Sequence, residues 1–240
     1  MNRKTFFLFL FLWGVFLPAA FAQTALEFFD KGNEAFNAGE YHNAIQHYER
    51  ARALEPRMGP AYYQLGLAHK AMKAPLPEVA WYLKTAVELM PELAEGHEQL
   101  AKVYYSMGHF DKAEEHALRA LAIRPDMVSA KFALGWIYLL GKSEADKAVR
   151  YFKEVLARAP VPYAQYGLGI AYAMNHDREQ VLESITKLRS MDQEELAINL
   201  EKLLRTGNPA SLQEGQPLVI IEPAPIPDVP IDPPPKLGPK

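Results

Sequence analysis

Residues 25–58 read ALEFFDKGNEAFNAGEYHNAIQHYERARALEPRM, and the placement of small, aromatic and proline residues in this stretch decides the fold. Gly32, Ala35, Ala44 and Ala51 are interleaved with Phe28, Tyr41 and Tyr48, Gly39 breaks the run, and Pro56 ends it. The same order returns along the chain. Glycine or alanine recurs at Gly32, Gly66, Ala101, Gly135 and Gly169, at spacings of 34, 35, 34 and 34. A second column reads Ala44, Val79, Ala113, Ala148 and Val181, and a third reads Pro56, Pro91, Pro125 and Pro160. Three columns that keep one period mark an internal repeat.

With these residues in view, the chain resembles the tetratricopeptide-repeat family, in which a helix pair recurs about every 34 residues. Residues 25–58 carry the motif most fully. The third repeat matches through Leu100, Ala101, Tyr104, Gly108, Phe110, Ala113, Ala120 and Pro125, and the fourth through Leu134, Gly135, Tyr138, Ala148, Phe152 and Pro160. Two repeats depart. The second has Lys73-Ala74-Pro75-Leu76-Pro77 at the inter-helix turn, one residue longer than usual, and the fifth has Val181 for the small residue and no terminal proline. The resemblance implies an all-α superhelical solenoid of about five helix pairs, with repeats at about 25–58, 59–93, 94–127, 128–161 and 162–192.

Each column has a physical reason. Small residues let helices approach closely, Tyr41, Tyr48, Phe110 and Phe152 fill the space between them, and the prolines end the second helix of each pair. One pair cannot bury its own apolar face, so stacking is required. Over residues 193–206, Leu196, Leu200, Leu203 and Leu204 form a helical stripe opposite a charged face, which predicts a capping helix.

The two ends read differently. Arg3 and Lys4 precede an apolar run from Thr5 to Leu17, and Ala20 and Ala22 supply the small residues of a cleavage site. This predicts a signal peptide over residues 1–22 and a periplasmic protein beginning at Gln23, the alternatives being secretion or anchoring by an uncleaved signal. Residues 207–240 are rich in proline and read as an extended, unpacked tail, although Leu218-Val219-Ile220-Ile221 forms an apolar cluster within it.

Composition narrows function. Loss of residues 1–22 removes Arg3 and Lys4 and no acid, leaving 24 basic against 29 acidic side chains, so no basic face is expected for nucleic acid. The chain has no cysteine, which excludes disulfides, thiolate metal sites and a cysteine nucleophile. His42 and His47, and His109 and His116, lack the spacing of a short ligand turn, and His97-Glu98 is followed by Ala101 where a zinc-protease helix needs histidine. Gly167-Leu168-Gly169 belongs to the repeat and not to a phosphate loop. Neither an enzyme nor a metal or cofactor protein is expected, and the signal is to be gone from the mature chain, leaving no membrane span.

The family lines its concave face with the first helix of each repeat. Carried over by register, the resemblance implies a groove of Phe29, Asn33, Phe36, Tyr63, Leu67, Lys70, Glu98, Lys102, Tyr105, Phe132, Trp136, Leu139, Tyr166 and Ile170. Of these, Phe29, Asn33, Tyr63, Leu67, Lys102, Phe132, Trp136, Tyr166 and Ile170 are the candidate partner-binding residues, with Phe132 and Trp136 expected to be exposed. Family members that clamp a C-terminal carboxylate use lysine, asparagine and arginine there. Here only Asn33 matches, and Phe29, Tyr63, Glu98, Phe132 and Tyr166 stand at the equivalent position of the five repeats. The groove is therefore expected to hold an apolar or proline-rich extended segment of a protein partner. The expected role is an exported adaptor in envelope assembly or secretion. Two alternatives stand beside it: a self-associating structural subunit, and a non-catalytic modulator that recruits an envelope enzyme.

Overall fold

A computed structural model describes residues 24–206, all of whose regular structure is helical. The signal-peptide and proline-rich-tail readings therefore lie outside the described residues. Ten helices form five consecutive pairs: α1 (24–37) with α2 (Tyr41–Leu54), α3 (Gly59–Ala71) with α4 (Leu76–Leu89), α5 (Ala94–Ser106) with α6 (Phe110–Ile123), α7 (Val128–Trp136) with α8 (Ala145–Leu156), and α9 (Pro162–Met174) with α10 (Arg178–Ser190). An eleventh helix, α11 (Glu194–Thr206), follows. The chain divides into two compact units, residues 1–92 and 93–240. The all-α architecture of five helix pairs and a capping helix is the one the repeat pattern predicts.

Helix ends follow local chemistry. Pro56, Pro91 and Pro125 come directly after Glu55, Met90 and Arg124, the residues that close α2, α4 and α6. A proline there cannot continue the helix and biases the residue before it away from helical geometry. Within the pairs, Gly39 and Gly108 take φ of +77° and +74° at the turn, a conformation in which a side chain is strained. Lys73, Ser143 and His176 hold the left-handed conformation without glycine in the other three pairs.

In the first unit, Phe29, Ala44, Tyr48, Ala51, Ala61 and Leu65 form one buried cluster. A Cβ on Gly32 would stand 2.4 Å from Tyr48 Cε1, and one on Gly66 would stand 2.7 Å from Leu83 Cδ2. The glycine column thus makes room on the first helix for a large side chain from the second.

The second unit repeats the device and extends it. Phe152 of α8 is completely buried, and a Cβ on either Gly135 of α7 or Gly167 of α9 would come within 2.5 Å of its ring. One aromatic ring is wedged between two successive first helices. In the third repeat the first helix carries Ala101, and the residue at the register position of Phe152 is Ala117, also buried. Bulk gained on one helix is surrendered on the other. At the far end, Leu200 of α11 occupies the space a side chain on Gly169 would need, with Cδ1 2.4 Å from such a Cβ. Ala197, Leu200 and Leu203 are buried and α11 packs on α9 and α10, so its apolar stripe does cover the last repeat.

The fourth repeat holds an irregularity. Counting from Gly135 to Ala148 gives one residue more than from Ala101 to Ala113. The extra residue widens the last turn of α7 into a π-helical segment, Ile137–Gly141, in which the Lys142 amide donates to the Ile137 carbonyl. A single inserted residue in a helix takes this form. Tyr138 and Lys142 from this turn both donate to the Glu114 carboxylate of α6, and Lys142 Nζ lies 2.9 Å from Asp111 Oδ1.

Candidate functional site

The first helices of the second unit, α5, α7 and α9, are packed in series, α5 on α7 and α7 on α9. Each is covered by its own second helix as well, which explains how far they are buried. Along α7 only Lys131 escapes full burial, and along α9 the whole stretch from Ala164 to Tyr172 is buried. This corrects the expectation that Phe132 and Trp136 are exposed. Phe132 has no exposed surface and Trp136 is only 6% exposed. Their rings form an aromatic trio with Phe152, at centroid separations of 6.2 Å for Phe132–Trp136, 6.2 Å for Phe132–Phe152 and 5.4 Å for Trp136–Phe152, all edge-on. Edge-to-face packing is the favoured arrangement for such rings. Tyr166, Ile170 and Lys102 are buried too.

Buried polar atoms without a hydrogen-bond partner occur in both units, and three of them lie on the first helices of the second. Tyr105 Oη on α5, Trp136 Nε1 on α7 and Tyr166 Oη on α9 are all shielded from water and have no hydrogen-bond partner. Burial holds the hydroxyls of Tyr105 and Tyr166 well above the ordinary phenol range. Both remain neutral O–H donors. An unpaired buried polar group costs about 1–3 kcal/mol, so three on one set of helices are not neutral packing. By repeat register they step back along the first helix by about one turn per repeat, from Tyr105 to Trp136 to Tyr166. Beside them Lys102 and Glu98 form a buried ion pair at 2.5 Å, and Gln99 Nε2 donates to Glu98 Oε2 at 2.9 Å.

In the first unit, the candidate residues again divide between packing and surface. Phe29 is buried against Tyr48, with centroids 5.7 Å apart, and Tyr63 is buried. Asn33 and Leu67 are half-buried. Asn33 Oδ1 accepts from the Tyr48 hydroxyl at 2.9 Å, so the one residue that matches a carboxylate clamp serves an intra-repeat hydrogen bond.

The structure also joins a pair that spacing does not reveal. His97 of α5 and His116 of α6 place their Nδ1 atoms 3.0 Å apart with ring centroids 5.3 Å apart. The centroid separation equals the N···N gap plus a ring radius at each end, so the two nitrogens point head-on at hydrogen-bond distance. Tyr104 stacks on His116 at 5.5 Å. Burial, and then the neighbouring His97, hold the His116 pKa below its ordinary value. Histidines 19 apart face each other only because α5 and α6 fold back on one another. Among the described residues no group of three or more histidine, aspartate or glutamate side chains is placed to hold a metal ion, and no helix is long and apolar enough to cross a membrane.

Two tetratricopeptide-repeat family models match, one over residues 94–127 and the other over 29–84 and 138–178, together more than half of the chain. The chain belongs to the tetratricopeptide-repeat family, a scaffold class for protein–protein interaction that is generally non-catalytic. Among curated relatives, it is 30% identical over 104 residues to the STIP1 homolog of Dictyostelium discoideum, a match covering 43% of this chain and 18% of that protein. It is 31% identical over 86 residues to Hsp70-Hsp90 organizing protein 1 of Glycine max, covering 36% and 15%. The chain thus matches less than a fifth of the length of these relatives. Among solved structures, YrrB has a TM-score of 0.67 at 22% identity, covering 75% of this chain and 92% of that one. A MamA structure has a TM-score of 0.64 at 21% identity, covering 72% and 93%. At such identities the likeness is one of fold.

Proposed function

We propose that the chain is an exported, non-catalytic adaptor that grips an extended apolar segment of a protein partner along the first helices of its repeats. The observation that carries this reading is the row of unpaired donors, Tyr105 Oη, Trp136 Nε1 and Tyr166 Oη, set among aromatic side chains on α5, α7 and α9. An extended chain presents carbonyl acceptors at regular intervals, and such donors with apolar walls are what fixes its backbone. Each donor is closed to water and unpaired, so a bond to an incoming carbonyl breaks no internal hydrogen bond. YrrB, described as having an unusual peptide-binding site, lends the same fold to the same kind of task. Export and an envelope location rest on the basic, apolar and Ala20/Ala22 pattern of residues 1–22.

Photo-crosslinking tests the binding face. A benzoylphenylalanine at Ala173 on α9, the half-buried register equivalent of Tyr105, is expected to capture an extended segment of a partner, identified by mass spectrometry. The same group at exposed Leu118 on α6 or Leu182 on α10 is expected to leave that segment uncaptured. Capture from the second-helix positions alone would remove the reading.

A further inference from the structure

Three features of the second unit converge on one occupant. First, Tyr105 Oη, Trp136 Nε1 and Tyr166 Oη can each donate, while the acceptor beside them, Glu98 Oε1, is met by Lys102, so the segment they suit is one whose backbone is rich in acceptors and poor in N–H groups. Proline supplies a carbonyl and no N–H, and it packs flat against aromatic rings. Second, the chain itself contains such a segment. Pro217, Pro223, Pro225, Pro227, Pro230 and the run Pro233–Pro235 surround the apolar Leu218–Ile221, all beyond the described residues. Third, the distances suit. The segment continues from α11, which packs on α9, the helix that carries Tyr166. The residues between 206 and 217 reach about 30 Å when extended, whereas three neighbouring helix axes at about 10 Å spacing span about 20 Å.

We infer that residues 217–235 of the chain are themselves a ligand of the first-helix face of the second unit, their carbonyls accepting from Tyr105, Trp136 and Tyr166. This rests on the reading that the face binds extended segments. A tethered segment meets its own face at an effective concentration on the order of millimolar, so a partner segment must compete with it. The tail then acts as a threshold on partner binding, and an indiscriminate weak ligand is kept off the face.

The absence of cysteine from the sequence makes the test direct. In the full chain, Ile221→Cys carries a nitroxide label, and the indole N–H resonance of Trp136 is followed in a nitrogen-15 spectrum, assigned by Trp136→Phe. The Trp136 resonance is expected to lose its intensity with the oxidised label and to regain it on reduction. In a mixture of labelled unenriched chain with unlabelled enriched chain, the resonance is expected to keep its intensity. A Trp136 signal untouched by the label within its own chain overturns the inference, and so does loss of signal in the mixture. If the label leaves Trp136 untouched while a benzoylphenylalanine at Ala173 still crosslinks a partner segment, the tail is excluded as the occupant and the binding face stands.

Discussion

The ring of Phe152 lies where a side chain on Gly135 would begin, with Cε1 only 2.5 Å from an added Cβ. The contact is between an inflexible ring held by three aromatic and glycine neighbours and a helix backbone that cannot recede without moving its repeat.

Gly135→Ala is therefore expected to destabilise the chain by about 1–3 kcal/mol, the usual cost of overpacking a filled core. Adding Phe152→Leu is expected to restore part of that loss, because the third repeat already runs on the smaller pair Ala101 and Ala117. Chemical denaturation of the single and double variants measures the coupling. Simple additivity of the two effects would contradict the register assigned to these helices.

The His97–His116 pair gives stability a pH dependence. The folded pKa of His116 is depressed relative to its unfolded value, so the stability it contributes is present above about pH 6.5 and is lost as pH falls below that value. The neighbouring charges are Glu115, which favours the protonated ring, and Lys112 and His97, which oppose it. Thermal melts between pH 7 and pH 5 are expected to fall steadily in the wild-type chain and to flatten in His116→Phe. Parallel curves for the two proteins would show that the pair does not titrate in this range.

An unpaired hydroxyl in the interior is a removable cost. Tyr105→Phe and Tyr166→Phe are each expected to stabilise the unliganded chain by about 1 kcal/mol or more, because the deleted oxygen has no partner to lose. Differential scanning calorimetry reads this as a rise in melting temperature. A fall would mean that these hydroxyls are satisfied in solution.

Much of this architecture was legible in the residues. The 34-residue columns led to five helix pairs, and the stripe from Leu196 to Leu204 led to α11, because both depend on local periodicity that any packing must obey. The fourth repeat's π segment was less visible: one extra residue between Gly135 and Ala148 is countable, but only packing against α6, through Glu114, decides where it is absorbed. Register placed the candidate residues on the first helices but did not give their exposure. Phe132 and Trp136 stand where the repeat puts groove residues, yet both rings pack edge-on against that of Phe152, admitted by Gly135 and Gly167, and are buried. That consequence belongs to three residues on three helices and cannot be read from any one. The pairing of His97 with His116 is hidden for the same reason, since the hairpin and not sequence distance brings them together.

Export makes its own prediction. Intact-mass measurement of the native protein is expected to find Gln23 at the N-terminus, in a soluble exported fraction. Recovery of the uncut chain solely with membranes would instead support the anchored alternative.

In the proposed function the unpaired donors hold a partner's backbone. The most direct test is the affinity of the full chain for the segment crosslinked at Ala173, made as a labelled synthetic peptide, before and after Tyr105→Phe combined with Tyr166→Phe. Loss of two hydrogen bonds of about 1 kcal/mol each predicts a Kd weaker by about tenfold or more, while the melting temperature holds or rises. An unchanged Kd in a chain that melts at or above the wild-type temperature would contradict the claim.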